Sequence, residues 1–329
     1  MMRALILPLL LLLLGLLTAP ALAQTVTTTA PLPDGDRDGR VRVVAQAAAL
    51  GVPRGTILTL CPATTWTYRY GSGECTVALD VPGKIGPVPL ASSGRVVTRA
   101  WQVVETWPKT DYTGQVNAGL VATEIGRVGI RLKGRVDGVT IRDFRLEHSA
   151  VENVSPHLPV AIAVENGRDI LIQDGRASGF QMTYVAGKYR NGDVYSTERL
   201  VDRITFRRVA ARNASDGCFD LKSTNTILDQ TTGGKCGIIY RLWGSGFATT
   251  IVSEDPRKYH VAFYTGADWH IGHLTARAAT TAPILFFEGL TTGARVVIDG
   301  CTIAVPRGTR LFLGKPPKTL ILGPGCAVP

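Results

Sequence analysis

The sequence predicts an all-β protein, a single-stranded right-handed parallel β-helix closed by an N-terminal cap. Three observations predict it. Short alternating runs recur from Gly129 onward: GIRLKG at 129, AIAVENG at 161, CFDLKST at 218, GIIYRLWG at 237, VAFYTG at 261, ILFFEG at 284 and LFLGK at 311. From residue 218 their starts differ by 19, 24, 23 and 27 residues. Each has a partner run some 8 to 12 residues later, such as VTIRDFRL, ILIQDG, TILDQ and VVIDGCTI, with Gly and Asn at the corners between. A repeat of this length built from short strands is a stacked coil. Helical repeats need longer amphipathic runs, and a β-sandwich does not hold its repeat in register.

Taken in order, the chain begins with Arg3, an apolar run from Ala4 to Leu17 and the small-residue site Ala21-Leu22-Ala23. Such a run is too short for a membrane span and has the form of a cleavable secretory signal over residues 1–23. A secreted or periplasmic protein, with no membrane span once the signal is removed, is the expectation. Residues 24–40 are polar and rich in Pro, Gly and Thr, the composition of a flexible leader. Between Thr56 and Gly126 lie β-like runs of no fixed period, TILTL, TWTYRY and GRVVTRAWQVVETW among them. Residues 24–125 are therefore read as leader and β-rich cap, since a stacked coil needs a closed end, and residues 126–329 as the coil. MTYVAG at 182 and ITFRRVAAR at 204 make one further turn, interrupted by a polar insertion from Lys188 to Leu200.

All six cysteines fall after residue 23. An even count in an oxidising compartment predicts disulfides, paired as Cys61–Cys75, Cys218–Cys236 and Cys301–Cys326. The last two pairs are separated by 18 and 25 residues, about one turn of coil, and no CxxC or paired-histidine spacing points to zinc. Without Arg3 the chain carries 35 basic and 26 acidic residues, a net charge of +9. That excess favours a polyanionic partner, an acidic polysaccharide before all, while dispersed basic residues and the lack of a motif argue against nucleic acid.

In the register that overlays Phe219 on Ile238, Lys222 stands one rung from Arg241, roughly 4.8 Å away. Two cations so placed repel, which lowers the lysine pKa and makes it a base. One outward column then holds Lys133, Glu165, Lys222, Arg241 and Tyr264, and the next holds Asp220. Glu165, Asp220, Lys133, Tyr264 and Trp243 are candidate substrate contacts, the aromatics by stacking on sugar rings, with His148 overhanging and Lys188–Arg199 along one side.

Lys222-Ser223, Asn225 and then Gly237 through Arg241 followed by Gly244 resemble the family-six polysaccharide lyases, which include chondroitinase B and alginate lyases. The resemblance covers about 30 residues. It implies β-elimination at an acidic polysaccharide, with Lys222 taking the proton next to the uronate carboxylate and Arg241 assisting at the leaving oxygen. It further implies calcium, for which Asp216 and Asp220 are the candidate ligands. Leu242 follows the arginine where that family has histidine. Carboxylate-pair hydrolysis is not indicated, for want of an Asp-Asp pair, and neither is a G-x-S-x-G serine site. His270 and His273 are read as one buried and one exposed histidine. Two functions are expected: a lyase of acidic polysaccharide, or a non-catalytic envelope or extracellular carbohydrate-binding or adhesive module on the same face.

Overall fold

The computed structural model describes residues 113–114, 116–148, 158–182, 186–187 and 189–329, with six short strands nearer the amino terminus. The signal segment, most of the expected cap and the Cys61–Cys75 pair lie outside the described residues. The described residues are all-β, without a helix. Twenty-two strands join one sheet whose pairings are all parallel, an arrangement compatible with a parallel β-helix.

Each rung presents three walls. The first stacks Ile130, Ile162, Tyr195, Phe219, Tyr240, Val261 and Leu285 in register. On the second, Ile141, Ile172, Phe206, Leu228, Ala248, Ile271 and Ile298 are partners. The third stacks smaller groups, Leu146, Ala177, Ala211, Gly233, Ser253 and Ala276. These small side chains leave room for the rings that the first wall sends across the core. Phe219 and Tyr240 stack at 4.8 Å and 11°, and the Tyr240 hydroxyl reaches the Thr231 and Val252 carbonyls at 3.0 and 3.2 Å. Burying each such side chain contributes roughly 1.5–3 kcal/mol.

Corners are made by residues in the left-handed region, and they too stack. Asp169, Arg203 and Asn225 turn the first wall into the second (φ 57°, 52° and 51°). Asp143, Asp174, Arg208 and Gln230 turn the second into the third (φ 55°, 53°, 49° and 57°). Asparagine and aspartate tolerate this conformation through local hydrogen bonds, whereas arginine has no such help. Here the arginines gain partners one rung away: Arg203 Nε lies 2.6 Å from Asp169 and Arg208 Nε 2.6 Å from Asp174.

The register differs from the sequence reading. Asp220, not Lys222, is the partner of Arg241, and Phe219 pairs with Tyr240 rather than Ile238. Tyr195, Phe219, Tyr240, Val261 and Leu285 follow one another at 24, 21, 21 and 24 residues. A slip of two residues leaves every side chain on its original face, so alternation cannot detect it. Ring stacking and the match of Leu221 to Leu242 decide the observed register. Ile238 and Phe286 belong to an outer cluster with Ala262, Tyr264, Trp243 and Tyr259. The stretch read as an insertion supplies a rung: Asp193–Arg212 is one continuous strand with Val194, Tyr195 and Thr197 buried. Its inward threonine and a bulge between Val164 and Asn166 hid that period.

Two disulfides staple the coil as expected, Cys218–Cys236 and Cys301–Cys326, with Cα separations of 5.5 and 4.8 Å.

Candidate functional site

The first wall shows two outward columns. One runs Arg131, Ala163, Ser196, Asp220, Arg241, Ala262 and Phe286. Residues one strand-pleat further on form the other, in which Lys133, Glu165, Glu198, Lys222, Trp243, Tyr264 and Glu288 follow the last inward residue of successive rungs. Lys222 and Arg241 therefore share a wall and lie diagonally, with Asp220 between them.

Arg241 is the centre of the cluster. Its Nη1 donates to Asp216 Oδ2 at 2.5 Å and lies 3.5 Å from Asp220 Oδ2. The guanidinium carbon sits 5.7 Å from the Trp243 ring centre and 5.6 Å from that of Tyr264. Burial alone would lower its pKa, but Asp220, Asp216 and Asp193 outweigh burial and hold it above its ordinary value. Asp216 Oδ2 also accepts from the Tyr189 hydroxyl at 2.5 Å, while Asp220 Oδ1 accepts from Trp243 Nε1 at 2.7 Å. Asp193 is buried beside them and accepts from the Gly217 amide at 2.7 Å. Burial first, then the Asp220 and Asp216 charges, drive its carboxyl well above the usual range and favour its protonated form.

Lys222 is not a lysine stripped of its proton. Its Nζ lies 3.0 Å from Glu198 Oε1 and 3.7 Å from Asp220 Oδ2. Partial burial pulls its pKa down, yet Asp220 and Glu198 outweigh that and raise it. The expected lowering by Arg241 required the two cations to be vertical neighbours, and a carboxylate occupies that place. Ser223 serves the corner instead of a substrate: its Oγ lies 2.9 Å from Thr197 Oγ1 and 2.7 Å from Thr226 Oγ1, all buried.

Around this ionic centre the rings form ladders. Trp243 and Tyr264 stack at 4.1 Å and 15°, Tyr259 and Phe286 at 4.2 Å and 2°. Tyr189 lies across Asp216, and Lys258 Nζ stands 5.9 Å from the Tyr189 ring centre. Of the other expected contacts, Glu165 sits on the same column but is paired with Arg131 at 2.5 Å, and Lys133 lies one rung further from the cluster. His148 does not overhang this wall; it is buried on the third, bonded to the Gly126 carbonyl at 2.9 Å. His270 and His273 are both partly exposed, bonded to Asp299 and Thr302. Tyr189, Asp193 and Glu198 fall in Lys188–Arg199, the stretch expected along one side of the site, and the sequence does not single them out because that stretch reads as an insertion.

The carboxylates do not fit a calcium site. Asp216 Oδ2 is taken by Tyr189 and Arg241, and Asp220 by Trp243, Arg241 and Lys222. Among the described residues no group of three or more His, Cys, Asp or Glu is placed to hold a metal ion. The only remaining acceptor of the pair without a partner among the described residues is the buried Asp216 Oδ1.

The chain matches no protein-family model, and no curated protein is significantly similar to it.

Proposed function

We propose that this protein is an exported right-handed parallel β-helix that binds saccharide chains on the outer face of its first wall and does not cleave them. The observation that carries the reading is the aromatic ladder of Trp243, Tyr264, Tyr259 and Phe286 beside Arg241, a cation fixed by two carboxylates. Trp243, Tyr259 and Phe286 are partly exposed over the buried Tyr264 and offer apolar surface to sugar rings, and pinned polar groups beside them meet hydroxyls. The right hand follows from the near-universal handedness of parallel crossovers. Export is supported by the leader sequence and by two disulfides.

The charge of this wall favours an uncharged chain over the acidic one that net charge alone points to. Arg131, Arg241 and Lys222 each carry a carboxylate partner, so little positive charge is free for a uronate. Affinity electrophoresis in gels containing neutral glucan, xylan, mannan, alginate or pectate tests the reading. Retardation by a neutral polymer that Trp243→Ala weakens about tenfold is expected; retardation by none, or retardation indifferent to Trp243, defeats it.

A second reading, β-elimination in the manner of the family-six lyases, draws on the shared wall of Lys222 and Arg241. The raised Lys222 pKa speaks against it. Absorbance of unsaturated uronate ends during incubation with alginate, pectate or glycosaminoglycans decides between them, and a Lys222-dependent signal would establish the lyase.

A further inference from the structure

The second wall carries a groove that none of the chemistry above uses. It holds about 880 Å³, and its floor is a column of outward side chains, Leu171, Thr205, Ile227 and Phe247, apolar but for the threonine, on a straight register line that continues to His270. Ile227 and Phe247 are 40% and 42% exposed, unusual for large apolar groups in the centre of a sheet. Phe247 is held upright by an edge-on contact with the His270 ring at 5.4 Å.

The rims are polar and mostly tied down. Arg203 is chelated by both oxygens of Asp169 at 2.6 and 2.8 Å, and Arg207 is paired with Asp229 at 2.9 Å. Ser245 Oγ accepts from the Asn225 amide at 3.0 Å and keeps its hydroxyl proton for another acceptor. Asp268 and Arg295 stand on adjacent rungs, and neither has a side-chain ion-pair partner among the described residues. The groove thus offers a largely apolar floor, a near-balanced charge and fixed donors and acceptors along both edges.

We infer that this groove is a second binding site and that its ligand is an uncharged saccharide chain running along the coil axis. A peptide strand is the poorer occupant. Strand addition needs free backbone groups at a sheet edge, and here the backbone groups are spent on the rung ladders above and below. An acidic chain is poorer too, because Arg203 and Arg207 are already neutralised. Sugar residues present an apolar face with hydroxyls around its rim, which matches this floor and these edges. Rungs about 4.8 Å apart are close to the length of one pyranose in an extended chain, so successive sugars meet equivalent positions from Leu171 to His270. This inference goes beyond the first-wall site and stands or falls without it. Two sites on different walls make the protein bivalent, able to hold two segments of polymer with a gain from effective concentration.

Calorimetric titration with cellohexaose, xylohexaose, mannohexaose and laminarihexaose tests it, on the wild-type protein and on Phe247→Ala, Asp268→Asn and Trp243→Ala. At least one hexaose is expected to bind, to weaken tenfold or more in Phe247→Ala, to weaken in Asp268→Asn, and to keep this component in Trp243→Ala. Phe247 is exposed, so its removal leaves the core intact, and circular dichroism of the variant checks that. Binding by no hexaose, binding unaltered by Phe247→Ala, or tighter Phe247-dependent binding of hexagalacturonate would each overturn the inference. A Phe247-dependent change in self-association without sugar binding would overturn it in favour of a second copy of the chain.

Discussion

Asp220 and Arg241 are register partners on consecutive rungs, and the same guanidinium that lies 3.5 Å from Asp220 is held by Asp216 at 2.5 Å. Among the described residues Arg241 is the one cation that touches both carboxylates, and Asp193 is buried alongside. Replacing it by Met keeps the packing against Trp243 and Tyr264 but strands the negative charge. Arg241→Met is expected to lose about 3–5 kcal/mol of unfolding free energy, and Asp216→Asn in that background to recover part of it. Guanidinium denaturation of the two variants checks both.

Lys222 is expected to matter little to folding. Its ammonium is part-exposed and pairs with an exposed glutamate, and Asp220 keeps Arg241 and Trp243 as partners without it. Lys222→Ala should change stability by no more than about 1 kcal/mol and leave retardation by neutral polymers unaltered.

His260 makes stability depend on pH. It is fully buried with Nδ1 2.8 Å from Ser253 Oγ, and burial lowers its pKa from 6.5 to about 4. The unfolded chain then binds the extra proton first, so the contribution of this group is whole above about pH 6.5 and is lost as pH falls towards 4, up to about 3 kcal/mol. His148 is lowered to about 4 by its own burial and acts in the same sense. Asp193, raised in the fold, acts oppositely: its contribution is whole below the ordinary carboxylate pKa and is lost at higher pH. Denaturation midpoints at pH 7, 6, 5 and 4 should fall more gently for His260→Asn than for wild type; equal slopes would remove His260 from the account.

Gly244 follows Trp243 where two rungs come close. A Cβ there would stand 1.9 Å from the Ser223 carbonyl oxygen, and backbone cannot move aside as a side chain can. Gly244→Ala is expected to cost more than about 2 kcal/mol and to weaken saccharide binding through a displaced Trp243, both read from one titration series at two temperatures.

The parallel all-β character was legible because alternating strands and turn residues recur at one spacing, and Cys218–Cys236 and Cys301–Cys326 because that spacing brings them one turn apart. The wall that Lys222, Arg241 and Tyr264 share was legible as well, though not the place of Trp243 on it. What was not legible was who neighbours whom. Overlaying Phe219 on Ile238 by alternation puts Lys222 beside Arg241, like above like, whereas packing of Phe219 on Tyr240 sets a 21-residue step that places Asp220 there. The error changes the chemistry: a neighbour that would strip a proton from Lys222 becomes one that holds it. Tyr189, Asp193 and Glu198 were legible only as members of a flanking stretch, because polar residues on a rung look like a loop when their inward partners include a threonine.

The disulfide between Cys218 and Cys236 closes the chain just where the two-residue ambiguity lies, from the start of one first-wall strand to the residue before Gly237. A growing coil uses each finished turn as a template for the next, and a mis-threaded turn with all its greasy side chains still inside is a deep kinetic trap. Oxidation of this pair removes the offset alternatives from the search. The reduced chain should therefore refold more slowly and to a mixture of stacked forms, even where its final stability suffices.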